Sequence, residues 1–434
     1  MTLADAHDYK TKLRSAHDAV GLIEDGDFVI TPTGVGQPPT LLRALSDRRR
    51  EFSGVKVTGI LTMIELDYYD DMETQQNVRH VSCFLGGYSR AGAQGGWINY
   101  VPANYSELGS MIRKKELPCD TVMTMASPMD SHGYFSISLA TDYTVAAISH
   151  ARTVILEVNP HVPFTFGQNH VHISQVSAVV EDDTPIQEVG LPTIGEVEQA
   201  IGGYVADMIP DGAALQIGFG SIPDAVVMQL KDKRDLGVHT EMMGDGLLSL
   251  VEAGVITNRK KNFLPGVMTA TFALGSKNLY DWMHLNRIME MHPVDWQNDP
   301  WIASRNDNLH TINGTIEIDF LGQCCSESLG PLPFSGTGGQ TDFVRAGNRS
   351  EGGKSFIVLP STAKGGTISR IRPTLAPGAH VSTSKNDVNY VVTEYGVAHL
   401  RGRTNRQRAK ALIQIAHPDF RDELMEEAQR LHFL

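Results

Sequence analysis

Cysteine is scarce in this chain. Four of 434 residues carry a thiol, Cys83, Cys119, Cys324 and Cys325, and two of them are adjacent. None forms the C-x-x-C pair of a zinc or iron–sulfur site, and adjacent cysteines are a poor basis for a disulfide framework. A reducing, cytoplasmic setting is therefore expected, with no metal. Long apolar runs are also missing. No stretch approaches the roughly 18 residues needed to cross a bilayer, so no membrane partner is expected. The first twenty residues have neither an apolar core nor a cleavage pattern, so they read as a first helix and not as a secretory signal. Positive charge is short as well: 37 Lys and Arg face 50 Asp and Glu, a net −13. That disfavours nucleic acid, whose phosphates need a basic face, while leaving room for a small anion at a local basic cluster. What is present is ordinary globular composition, 41% hydrophobic and 20% charged. At this length two domains are the default.

Two stretches of the chain echo each other. One begins IEDGDFVITPTGVGQPP at Ile23 and the other IPDGAALQIGFGSIP at Ile209. Each runs Ile-x-Asp-Gly, a strand-like segment, Gly-x-Gly-x-x-Pro, a helical pattern, then Gly-Val and a second strand. Gly26, Gly36, Pro39 and Gly54 pair with Gly212, Gly220, Pro223 and Gly237, 183 to 186 positions further on. DSHGYFS at Asp130 loosely echoes DFLGQCCS at Asp319. A long-period repeat of this kind predicts two related α/β domains in tandem, 1–189 and 190–434. Short apolar runs ended by turn residues, such as FVITPTG, TVILEV, SFIVLP and NYVVTEYG, suit strands buried on both faces of a mostly parallel sheet. The C-terminal stretch from Thr404 is amphipathic and reads as helices closing the fold.

The second copy contains VHTEMMGDG, residues 238–246, with Glu241 at a position where the first copy has Thr58. A glycine-rich turn followed about twenty residues later by an acid is the pattern of a dinucleotide fold, the acid holding a ribose. Here the third glycine of that fingerprint is Pro223, which weakens it. Pro is at home in the first turn of a helix, so the strand–turn–helix reading stands. An acid at the end of one strand in one copy only marks a site more than a fold feature. A second glycine-rich stretch, FSGTGGQTDF, offers Gly336, Gly338 and Gly339, whose N–H groups suit either a phosphate or a developing oxyanion. A mobile loop without a ligand has the same pattern. Lys364, Arg370 and Arg372 follow among Ser, Thr and Gly, as anchors for an anion or as a solvated loop. RGRTNRQRAK from Arg401 reads as a solvated helix face. His170 and His172 alternate on one strand without a third ligand, which argues against a metal. His239 shares a strand face with Glu241 and either tunes it or packs in the core.

Taken together, HTEMMGDG, GFGSIPDAV, GTGGQTDFVR and IAHPDFRDEL resemble, in order and spacing, the acetyl-CoA hydrolase/transferase family. Within it the resemblance is closest to the 4-hydroxybutyrate- and butyrate-type coenzyme A transferases, and it covers nearly the whole chain. It implies two tandem CoA-transferase-like α/β domains, coenzyme A as a substrate and no tightly bound cofactor. The partners it implies are acyl-CoA and small carboxylic acids such as 4-hydroxybutyrate, butyrate or acetate, with a homodimer or a pair of dimers as the assembly. Carried over residue by residue, the family's nucleophilic glutamate falls on Glu241. Its oxyanion-binding backbone N–H falls on Gly339 with Gly338 beside it, and an assisting asparagine falls on Asn306. Gly218, Gly220, Gly336, Gly338, Lys364 and Arg370 are the expected contacts to coenzyme A and its acyl group. One departure is visible: Phe164 in VPFTFG stands where many members have arginine, which points to a less polar acid. An acyl-CoA hydrolase using the same glutamate, and a CoA-binding protein without catalysis, are the alternatives.

Overall fold

A computed structural model describes residues 3–434. The described chain forms two compact units, Met1–Val189 with Thr269–Gln297, and Gly190–Met268 with Asn298–Leu434. The return of Thr269–Gln297 to the first unit is not visible in the linear repeat. Its cause is local pairing: Thr141 N–H donates to the Thr271 carbonyl, Ala273 N–H to Leu139 and Val294 N–H to Asp142. Met1 and Thr2 lie outside the described residues. The expected first helix is Leu3–Lys12, and Ser15 caps a second at Ala16–Val20.

The first unit is built on a seven-stranded parallel sheet. Its spatial order is Ala178–Glu181, Thr153–Val158, Thr121–Ala126, Phe28–Thr33, Val55–Ile60, Val78–Ser82 and Asn99–Tyr100. The second has six strands in the order Gly237–Val238, Ala214–Ile217, Leu309–Gly314, Lys354–Val358, Tyr390–Thr393 and Gly396–His399, the last antiparallel. Two strands, Val78–Ser82 and Asn99–Tyr100, extend the first sheet beyond Val55–Ile60. Without them, the first sheet places its chain-ordered strands as second, first, third, fourth, fifth, and the second sheet repeats that order before its sixth, antiparallel strand, a doubly wound arrangement. Every residue of Phe28–Thr33, Thr121–Ala126, Thr153–Val158 and Ala214–Ile217 is buried. Continuous apolar runs, not alternating ones, are what a sheet covered on both faces requires.

The looser echo has a physical basis too. Asp130 Oδ1 accepts the N–H groups of His132 and Tyr134. Asp319 Oδ1 accepts those of Leu321 and Gln323, the same offsets of two and four. Each turn then needs a left-handed residue three positions after the aspartate, and Gly133 (φ 85°) and Gly322 (φ 89°) supply it. Cys324 and Cys325 follow this second turn and are fully buried; burial pushes the Cys324 thiol well up, out of the reactive range.

Candidate active site

The strand Ala214–Ile217 ends in the turn Gly218–Phe219–Gly220, which opens the helix Ser221–Met228. Gly218 N–H donates to the Ile312 carbonyl. A Cβ on Gly218 would lie 2.9 Å from that same oxygen, so only glycine fits so close to the neighbouring strand. Gly220 sits at φ 124°, a conformation L side chains rarely adopt. Beside this turn, the Thr240 hydroxyl meets both the N–H and the carbonyl of Ile217 at 3.2 Å. That pairing holds the end of one strand against the end of the other and fixes the backbone that carries Glu241. In the first unit the corresponding Thr58 is buried inside its sheet, its carbonyl taken by the Thr31 hydroxyl.

Glu241 is partly buried. Asn298 Nδ2 donates to its Oε2 at 2.6 Å. Asn298 is itself fully buried, and its Oδ1 has no hydrogen-bond partner among the described residues. On the other side lies Gly339, the N-cap of the helix Gln340–Arg349. A Cβ there would stand 1.9 Å from Glu241 Oε2 and 2.4 Å from Asn298 Nδ2. The glycine is required by this close approach and not by its backbone angles, since φ −95° and ψ 7° are open to other residues. Gly338 beside it does need its freedom, at φ 55°. Gly336 is buried, and Thr337 ties the loop to Glu327 with a 3.0 Å hydrogen bond.

Burial raises the Glu241 carboxyl from its ordinary 4.5 to about 7; the Asn298 hydrogen bond opposes the rise and the nearby Asp342 adds to it. The helix N-terminus at Gly339 also favours the anion. The result is a carboxylate present near neutral pH and poorly solvated. A raised pKa and poor solvation both increase the reactivity of a carboxylate oxygen.

The structure thus brings Glu241 and Gly339 together but places Asn306 differently. Asn306 is fully buried, and its Nδ2 donates to the Ala303 carbonyl at the end of the short Pro300–Ala303 helix. The asparagine that reaches Glu241 is Asn298, which reading by resemblance missed. Its signal was present: Asp299-Pro300 is an N-cap followed by proline, and Asp299 accepts the N–H groups of Trp301 and Ile302. Asn298 therefore immediately precedes the cap of a helix. Lys364 occupies a left-handed position (φ 49°) in the exposed turn between Thr362–Ala363 and Ile368–Ser369. Arg370 is partly buried, and its Nε has no hydrogen-bond partner among the described residues. Neither touches Glu241. His239 is in the core between Phe263 and Phe343. Phe164 stacks on His170, and two residues along Arg287 lies over the Phe166 ring at 4.8 Å, so this region of the first unit keeps a cation. No cluster of metal-ligating side chains exists among the described residues.

Comparison with known proteins agrees with this architecture. The model described as acetyl-CoA hydrolase/transferase N-terminal domain matches residues 3–189, and the C-terminal domain model matches 275–428. The chain is 48% identical to a succinyl-CoA:cyclohexane-1-carboxylate CoA transferase of Geobacter metallireducens, over 98% of this chain and 97% of that one. It is 44% identical to the 4-hydroxybutyrate coenzyme A transferase of Clostridium kluyveri, over 97% and 98%. Among solved structures it resembles RipA from Yersinia pestis, with a TM-score of 0.94 at 36% identity, covering 99% of this chain and all of the other.

Proposed function

The chain belongs to the acetyl-CoA hydrolase/transferase family, and we propose that it moves coenzyme A from an acyl-CoA to a free carboxylate through a thioester on Glu241. The observation that carries this reading is the contact set of one carboxylate: a buried amide on Oε2, a glycine shaped to its van der Waals surface, and a raised pKa.

The chemistry runs in four attacks. The Glu241 carboxylate adds to the thioester carbonyl, the C–S bond breaks, and CoA leaves as a thiolate, giving a mixed anhydride. The thiolate then adds to the glutamyl carbon, and the first acid departs as a carboxylate, leaving glutamyl-CoA. A second carboxylate attacks that thioester, and the released thiolate attacks the new anhydride at its incoming acyl carbon. Glu241 is restored and the new acyl-CoA leaves. Covalent catalysis of this type gives ping-pong kinetics. When the glutamyl carbon is attacked, Oε2 becomes an oxyanion. Asn298 Nδ2 already points at that atom, and it takes the role expected of Asn306, beside the Gly339 N–H. Gly218 and Gly220 keep the strand end open for the acyl group, while Gly336 and Gly338 shape the loop. Lys364 and Arg370 supply positive charge to coenzyme A. The molecule acts in the cytoplasm as a homodimer on small acids, with 4-hydroxybutyrate, butyrate, acetate and cyclohexane-1-carboxylate as the first candidates.

Exchange is tested by supplying acyl-CoA with each acid in turn. New acyl-CoA formed by the wild type and abolished in Glu241→Ala, with the fold retained, supports the transferase. Free CoA released without any acceptor acid would instead establish hydrolysis at the same glutamate.

A further inference from the structure

Val55 and Val238 follow Gly54 and Gly237 at equivalent positions of the repeat. In the first unit Val55 begins the strand Val55–Ile60 inside its sheet. Its N–H donates to the Asn77 carbonyl at 2.9 Å, and the neighbouring backbone stays in register as far as Thr58 opposite Val81. In the second unit the strand Gly237–Val238 lies at the edge of its sheet. A neighbour starts beside it. Leu236 N–H donates to the Val255 carbonyl, and the Leu236 carbonyl accepts the N–H groups of Thr257 and Asn258. The backbone then turns away at Asn258, which is left-handed at φ 57°. Two side chains take over where that backbone leaves. Asn258 Oδ1 accepts the Val238 N–H at 2.9 Å, and Lys261 Nζ donates to the Val238 carbonyl at 2.9 Å. Asn258 is 1% exposed and Lys261 5%. Lys261 Nζ also donates to the Val267 carbonyl at 2.6 Å. Gly237 makes room for the lysine stem, since a Cβ there would stand 2.4 Å from Lys261 Cγ. A buried ammonium is costly to desolvate, whereas an apolar side chain of similar length packs without that cost. Its use here answers a need for a hydrogen-bond donor.

We propose that Asn258 and Lys261 are positioning residues for Glu241, side chains that stand in for a neighbouring strand and fix the strand end from which the nucleophile projects. The proposal rests on the CoA-transferase reading and deepens it. In the first unit a neighbouring backbone accompanies the strand up to Thr58, the position equivalent to Glu241, and Thr58 stays buried in the sheet. Side chains within such a ladder are committed to one face or the other. Glu241 lies outside any strand and reaches Asn298 and Gly339 instead. Leaving the edge bare would not serve. Val238 is fully buried, and an unpaired N–H and carbonyl there would be costly. The two side chains satisfy both groups while their own backbone departs. On the inner side His239 N–H donates to the Leu215 carbonyl at 3.0 Å, and the Thr240 hydroxyl meets Ile217. Glu241 therefore follows a strand end pinned from both edges.

The test combines steady-state exchange with thermal melting of the full chain. Asn258→Gly keeps the left-handed backbone and loses the acceptor, and Lys261→Met keeps an apolar stem and loses the donor. Each is expected to lower kcat about 10²-fold, the effect of a displacement of about 1 Å, with KM for acyl-CoA within about threefold. Asn258→Asp retains an oxygen for the Val238 N–H and tolerates the same backbone, so its kcat is expected to stay within about threefold of wild type. A second readout needs no turnover. Glu241→Gln is introduced into the wild type and into each variant, and the rise in thermal midpoint that it causes is measured at about pH 8. A displaced carboxylate is better solvated, so this rise is expected to shrink to less than about half in Asn258→Gly and Lys261→Met. A kcat within about threefold of wild type in both variants would overturn the proposal, as would a loss in Asn258→Asp equal to that in Asn258→Gly. So would an unchanged rise on Glu241→Gln, the mark of side chains that serve the fold alone. Should Lys261→Met fail to fold, Asn258→Gly carries both readouts. A wild type that shows the melting difference but neither exchange nor a glutamyl adduct refutes the transferase reading alone.

Discussion

Gly339→Ala isolates the geometry of the nucleophile. The new methyl carbon would lie 1.9 Å from Glu241 Oε2, whereas ordinary contact begins near 3.4 Å. The carboxylate must retreat by about 1–1.5 Å. The same methyl would lie 2.4 Å from Asn298 Nδ2, so the 2.6 Å hydrogen bond between the two side chains cannot survive unchanged. A misplacement of about 1 Å costs on the order of 10²-fold, and a lost oxyanion donor about 10²–10³-fold. Because both losses arise from one displacement they overlap, and we expect kcat to fall by about 10²–10⁴. The fold should persist. The backbone angles at Gly339 suit alanine, and the displaced atoms belong to flexible side-chain ends. The assay is acyl exchange by steady-state kinetics, with the thermal midpoint measured in parallel. Turnover within threefold of wild type would refute the close-packed picture of the site. A collapsed midpoint would show that the glycine serves the fold and not the nucleophile.

Other perturbations separate the parts. Asn298→Ala should lower kcat about 10²–10³-fold by removing the donor to Oε2, whereas Asn306→Ala should act on stability through the lost Ala303 contact; the reverse pattern in kinetics would restore Asn306 to the site. The first half-reaction needs the carboxylate, so kcat/KM should fall about tenfold per pH unit below an apparent pKa near 7; a profile flat down to pH 5 would contradict the environment described for Glu241. The same raised pKa has a stability consequence. The fold binds this proton more tightly than the unfolded chain, so the group costs nothing below about pH 4.5 and its full penalty is felt above pH 7. A difference of 4.5 to about 7 corresponds to at most about 3 kcal/mol, reduced by partial exposure. Glu241→Gln should therefore be inactive yet melt higher than wild type at pH 8, with the gap closing at pH 4; equal melting at both pH values would count against it.

Much of this was legible in the sequence because it rests on backbone demands that few residues meet. Gly26 and Gly212 are both left-handed, and the Asp130 and Asp319 turns share their hydrogen bonds, so the repeat shows through little identity. Glu241 stood out because only one copy carries an acid there. Asn298 did not stand out. Its role depends on a meeting between three distant segments, around residues 241, 298 and 339, and sequence spacing cannot register such a meeting. Asn306 lay in an equally plausible polar stretch, and the structure gives its Nδ2 a local bond to the Ala303 carbonyl instead. The return of Thr269–Gln297 to the first unit was hidden for a similar reason, since it depends on bonds to Leu139, Thr141 and Asp142.

The most direct test of the central claim is the intact mass of the purified protein after incubation with butyryl-CoA and no acceptor acid. We predict an added coenzyme A on the wild type, absent from Glu241→Ala and discharged when acetate is supplied. No adduct on the wild type across the candidate acyl-CoA substrates, or an adduct that persists in Glu241→Ala, would contradict the assignment of Glu241 as the covalent nucleophile.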